Sequence, residues 1–176
     1  MGAATFAYFS DVGASNDNVF AAGTLDLKLT DSTETDADNV TASFGGTALG
    51  PNDCTTTQNL KVKNTVTVNA DHVEIAAVNS VTDVSVDAIP DMDTYLLLDL
   101  FQYDGGNISV PDSNGNTFAD LDDLEVNGVD DLALTNLGTD HNIDLRVCLH
   151  STAPNEVQGD SVDSDWTITL NQDATQ

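Results

Sequence analysis

The stretch Ser161–Asn171 alternates without a break. Val162, Ser164, Trp166, Ile168 and Leu170 fall on one side, and Asp163, Asp165, Thr167, Thr169 and Asn171 on the other. A period of two puts successive side chains on opposite faces, so this segment can only sit comfortably as a half-buried strand. The pattern recurs. Leu25, Leu27 and Leu29 oppose Asp26, Lys28 and Thr30 within Thr24–Thr30. Over Leu60–Val68, Leu60, Val62, Val66 and Val68 oppose Lys61, Lys63, Thr65 and Thr67, with Asn64 interrupting. Over Asn142–His150, Ile143, Leu145, Val147 and Leu149 oppose Asp144, Arg146, Cys148 and His150. Val73–Ala77 and Val81–Ile89 are Val-rich and β-prone, with a turn expected at Asn79–Ser80. Tyr95–Tyr103 is apolar on nearly both faces and reads as a central strand, ended by Gly105–Gly106, with Asn107–Val110 returning beside it. Thr41–Phe44 adds a short strand, and Gly45–Asp53 is a turn by its Gly and Pro content. One short helix is expected over Phe118–Leu124, with Thr117 as its N-cap. Eight or nine short strands, no internal repeat and almost no helix predict an all-β, antiparallel two-sheet β-sandwich of jelly-roll type.

Charge narrows the partners. Of 176 residues, 30 are Asp or Glu and only four are basic (Lys28, Lys61, Lys63 and Arg146), for a net charge of −26. With 40% hydrophobic residues the chain still has the material for a core, so it is no disordered acidic tail. Self-repulsion of this size weakens a compact state unless salt screens it, which points to a halophile's protein; a surface built to bind divalent cations is the competing reading. With no basic patch, counterion release cannot drive nucleic-acid binding, and anionic membrane surfaces repel the chain. No apolar run approaches the ~20 residues that span a bilayer. Met1 is followed at once by Gly2, Ala3 and Ala4, so no complete signal peptide opens the sequence.

The N-terminal run Ala4, Thr5, Phe6, Ala7, Tyr8, Phe9 is the odd segment. It is apolar, aromatic and two-faced at a chain end, where residues are normally polar and frayed. Such a strand needs a sheet to enter, its own or a neighbour's. The small-residue stretch Val12–Asn18 behind it is a flexible linker. The expected organisation is therefore residues 1–18 as strand and linker, followed by a sandwich domain over 19–176.

The same region carries a family resemblance. Phe9-Ser10-Asp11 in FAYFSD, then Phe20, Gly23, Thr24, Leu25, Asp26 and Leu27 in FAAGTLDL, resemble the start of the mature chain in the camelysin/TasA family of secreted, fibre-forming proteins. Weaker echoes follow at Lys63–Asn64–Thr65 and in the stretch Asn155 to Asp160. The resemblance implies the same sandwich fold and a subunit of an extracellular filament, pilus or biofilm matrix, exported with its signal removed. With the acidity, it points to a haloarchaeal member. In this reading Ala4–Phe9 is a donor strand that completes the sheet of the next identical subunit, building a helical homopolymer that other matrix components could join. The alternatives are a monomeric secreted adhesion or binding module whose N-terminal strand folds back, and a camelysin-like metallopeptidase.

The sequence assigns no catalytic residue. His72, His141 and His150 lie in no H-E-x-x-H helix, and no G-x-S-x-G elbow occurs. His72–Val73–Glu74 puts two ligand types on one side of a strand, but a surface histidine is the expectation there. Cys148 falls on the polar face of its strand with no paired base. An exposed thiol in an exported protein favours a disulfide between Cys54 and Cys148 over two free cysteines. Asp112, Asn114, Asn116 and Asp123 carry oxygens at positions one, three, five and twelve of a loop resembling an EF-hand. Its glycine stands at position four instead of six, which makes it a candidate weak Ca²⁺ site; no other cofactor is required. Asn39 and Asn107 head N-x-S/T sequons and are candidate glycosylation sites.

Overall fold

The computed structural model describes residues 22–41, 44–84, 91–134 and 136–172. The N-terminal strand and linker, and the boundary at residue 18, lie outside them. Eight strands are described: β1 Leu27–Thr30, β2 Gln58–Asn64, β3 His72–Thr82, β4 Leu96–Tyr103, β5 Gly106–Asn107, β6 Val129–Ala133, β7 His141–Leu149 and β8 Ser161–Asn171. One α-helix, α1 Leu121–Asn127, and 3-10 turns at Met92–Tyr95 and Asn155–Val157 complete the elements. The strands form two antiparallel sheets, one ordered β1-β2-β7-β4-β5 and the other β6-β3-β8. This is the all-β sandwich that the alternation predicts.

The sheets share one apolar core. Val62, Ile143, Leu145 and Phe101 come from the larger sheet and Val73, Ile75 and Ala77 from the smaller, all at most 4% exposed. Phe101 meets Trp166 of β8 edge-on at 5.8 Å between ring centroids, a favoured aromatic geometry. Leu124 of α1, wholly buried, closes one side of this core.

Several expectations need correction. The two Val-rich strands are one: β3 runs through Asn79 and Ser80 without a turn. Asn79 is held in place by α1, its Nδ2 donating to Leu121 O at 2.8 Å. The proposed continuation to residue 89 lies outside the described residues from residue 85, and Thr41–Phe44 is interrupted in the same way at 42–43. The Leu60 strand stops at Asn64 instead of Val68, because the buried Asn64 side chain donates to Val68 O at 2.8 Å and so closes a turn. Tyr95–Tyr103 is, as β4, a strand inside the sheet, paired with β7 on one side and the two-residue β5 on the other, and β7 holds the middle position. The helix begins three residues later than expected. Asp120, not Thr117, is the N-cap, in a reciprocal capping box with Asp123.

Cys54 and Cys148 form a disulfide with Cα atoms 3.9 Å apart. Residues 52–55 continue the pairing along β7, with Thr55 N donating to Val147 O and Asn52 N to Leu149 O, both at 2.8 Å. Cys148 is 5% exposed. It lies on the face of β7 that carries Asp144 and Arg146, as expected, but is not exposed there, because the segment carrying Cys54 covers it.

The disulfide closes 94 residues of chain, and cross-links of that reach stabilise mainly by restricting the unfolded ensemble. Replacing both cysteines by serine should cost about 2–4 kcal/mol in guanidinium titrations in molar NaCl. An unchanged midpoint would show that the bond adds nothing to stability.

Candidate functional site

The three-stranded sheet is too narrow to cover the five-stranded one, and the consequence appears along β8. Its neighbour β3 is paired on both sides, and Val73, Ile75 and Ala77 are buried. In β8, every inward residue from Val162 to Leu170 is only half-buried. Among the described residues β8 is an end strand, so one edge lacks a partner. Beside that edge a cavity of about 1150 Å³ opens between the sheets. Leu60, Leu145 and Val147 line it from the larger sheet, and Val162, Trp166 and Ile168 from β8. Phe44 projects onto Trp166, ring centroids 4.8 Å apart. Apolar walls beside a free strand edge are what an added strand requires: main-chain partners on one side and pockets for alternate side chains on the other. The sequence reading named Ala4–Phe9, outside the described residues, as a donor strand and named no acceptor residues; β8 is legible in the sequence by its uninterrupted alternation, but its place in the sheet only the fold reveals.

The candidate Ca²⁺ loop is a hydrogen-bonded cap. Asp112 accepts from Gly115 N and Thr117 N, at 2.7 and 2.9 Å. Asn114 Oδ1 accepts from Asn116 N and Asn116 Oδ1 from Phe118 N. Asp123 accepts from Ser113 N at 2.7 Å and Asp120 N at 3.2 Å. The carboxylates that converge are Asp120, Asp122 and Asp123, of which the candidate Ca²⁺ ligand set included only the last. Asp112 is not among them. Asn39 and Asn107 are both exposed.

One histidine departs from its expected place. His72 is 2% exposed instead of lying on the surface. Its Nε2 donates to Glu74 Oε1 at 3.2 Å and stands 3.7 Å from Asp130 Oδ1. Burial alone would lower its pKa, but the hydrogen bond to Glu74, with the nearby carboxylates of Asp71 and Asp131, outweighs burial and holds it above the ordinary value. His141 is 6% exposed, with Nδ1 2.6 Å from Asp104 Oδ2 and its ring stacked on Tyr103 at 5.7 Å. A carboxylate-oriented imidazole of this kind can serve as a general base. Its Nε2, however, is buried with no hydrogen-bonding partner, so the pair reads as a strand-end lock.

Asp93 is the clearest electrostatic strain. Burial, with Asp122 and Asp91 nearby, lifts its pKa from 3.8 to about 6. A raised carboxyl pKa favours the fold while the group is protonated, below pH 4, and that advantage is lost as pH rises through 6. Asp93→Asn, which keeps an oxygen for Thr94 N, should therefore stabilise the protein at pH 7.5 by about 1–2 kcal/mol and have no effect below pH 4. Thermal midpoints of both chains across pH 3.5–7.5, an interval of about the width such a shift spans, would expose a pH-independent difference and so refute the assignment.

No helix among the described residues is long and apolar enough to cross a membrane. No curated protein matches the chain. The family model described as camelysin metallo-endopeptidase matches it over residues 1–176, its whole length. With the antiparallel sandwich and the N-terminal pattern agreeing, the chain belongs to the camelysin family.

Proposed function

We propose that this protein is the structural subunit of an extracellular filament, polymerising when Ala4–Phe9 of one copy adds to the β8 edge of the next. The observation that carries this reading is the apolar cavity beside that unpaired edge. At about 3.3 Å per residue, a six-residue strand spans some 20 Å, well within the reach of the 11-residue β8. Phe6 and Tyr8, two apart and on one face of the strand, would enter the space walled by Phe44, Trp166 and Ile168, with Phe9 on the opposite face. Burying those two aromatics, at roughly 150–200 Å² each and about 25 cal/mol per Å², supplies up to about 10 kcal/mol before entropic losses. Donor and acceptor surfaces differ, so the contact is heterologous and propagates instead of closing. Identical subunits are thus the main partners, with other matrix components joining the finished polymer. The charge of −26 fits a saline exterior, where screening lets such subunits approach.

The family description favours a second reading, a secreted metallo-endopeptidase. The chain has no H-E-x-x-H motif. His72, Glu74 and Asp130 are a group able to hold a divalent ion, which would supply Lewis-acid activation of water. Loss of casein cleavage on chelation would favour this reading.

Filament formation is tested by negative-stain electron microscopy in molar salt, comparing the full chain, a chain lacking residues 1–10, and Ile168→Glu. We expect filaments from the first and single folded particles from the other two. Single particles from all three would overturn the proposal, as would filaments from the truncated chain.

A further inference from the structure

We infer that the smaller sheet has one open margin and one closed margin: Asp130, Asp131 and Tyr103 shut the β6 margin against strand addition, so each subunit accepts a single strand from a second copy and the polymer does not branch. The inference rests on the strand-addition reading above and sets its valence. A sheet margin is a row of main-chain donors and acceptors that any extended chain can join, so a subunit that grows from one edge needs its other margins blocked. Among the described residues the two sheets end in four strands, β1 and β5 in the larger and β6 and β8 in the smaller. β1 is four residues long, and its Leu29 already exchanges main-chain bonds with Ala37, at 2.8 and 2.9 Å. β5 has only two residues. β8 is different. Its 11 residues pair with β3 from Ser161 to Asn171 without a register shift, and none has a positive φ.

β6 departs from that regularity at its middle. Val73 opposes Leu132 and Ile75 opposes Val129, so Asp130 and Asp131 both face the single Glu74. That is a β-bulge, with Asp131 at φ 59°, a conformation that residues other than glycine seldom adopt. The bulge bends a strand of five residues and leaves two consecutive aspartates exposed on it. Main-chain groups of β6 are also occupied by side chains. Asp131 N donates to Asp130 Oδ1 at 2.8 Å. Leu134 N donates to Asp71 O, toward β3, so the carbonyl of Ala133, one residue earlier, turns to the margin. There it accepts from the Tyr103 hydroxyl at 3.2 Å.

Tyr103 belongs to β4, so the same bond ties the two sheets together on this side, whereas beside β8 a cavity lies open between them. β8 carries carboxylates too, Asp163 and Asp165, but along a straight backbone. What separates the two margins is therefore the bend and the occupied main-chain groups more than charge. The consequence is one of counting. Each subunit brings one N-terminal run. With one acceptor margin every joint takes one donor and one acceptor, and a heterologous contact of that kind extends in a line. A second acceptor would let one subunit take two strands, and the thread would fork.

The test polymerises full-length chains in molar NaCl and counts junctions per length of thread by negative-stain electron microscopy. The unaltered chain should give unbranched threads. A chain with Asp131 deleted, Asp130→Thr and Tyr103→Phe has a regular β6 with its outer main-chain groups free, and should show several-fold more forks or cross-links. Asp130→Ala with Tyr103→Phe keeps the backbone as it is and should raise the junction count to a lesser degree; circular dichroism checks that each chain is folded, and this second variant decides the matter if the deletion prevents folding. Forked threads from the unaltered chain would overturn the inference, as would opened chains that fold and show no more junctions than it does. Absence of any polymer from the unaltered chain would instead remove the strand-addition reading, and this inference with it.

Discussion

The structure turns on a mismatch between two layers. A sandwich buries its apolar faces only where the sheets overlap, and among the described residues five strands face three. β3, at the middle of the smaller sheet, packs Val73, Ile75 and Ala77 to near-complete burial. β8, at its margin, holds Trp166 and Ile168 against a cavity. Trp166 touches both Phe44 and Phe101, so it anchors the existing core and lines the unfilled part of it.

Electrostatics shapes the surface around that frame. All four basic residues are paired: Lys28 with Asp26 and Asp38, Lys61 with Asp140, Lys63 with Asp36 and Asp140, and Arg146 with Asp99. These are exposed or half-exposed pairs, each worth little; they do more to relieve local repulsion than to stabilise the fold. Most acidic groups have no cation to meet. Where carboxylates are buried, backbone amides satisfy them, as in the Asp120–Asp123 capping box, or the pKa rises, as at Asp93. Around His72 the backbone answers neither need fully, and the bulge in β6 gathers further carboxylates there.

Much of this was legible from residue order. Strict alternation placed β8 to the residue and located β1, β2 and β7 closely, because a half-buried strand imposes its period directly on the sequence. The pairing of Cys54 with Cys148 also followed from chemistry alone. The helix is displaced because Thr117 and Asp120 are both good N-caps with an aspartate three residues on, but Thr117 sits at φ 83° while Asp120 has the extended backbone a cap needs and forms the capping box with Asp123. β6 was missed because Val129–Ala133 carries two adjacent aspartates that break the period, and a bulge is what accommodates them. His72 was misplaced for a related reason. Alternation assigns it to the outer face, correctly, but cannot reveal that this outer position is covered.

By itself the sequence determined the class of fold and the half-buried strands, since these depend on local periodicity and side-chain chemistry. The tertiary structure decided which strand is left at an edge, where the cavity opens and which carboxylates surround His72. Those outcomes depend on pairing between residues far apart in the chain, and a sheet's order and register are set by how many strands compete for each edge, which no single segment encodes.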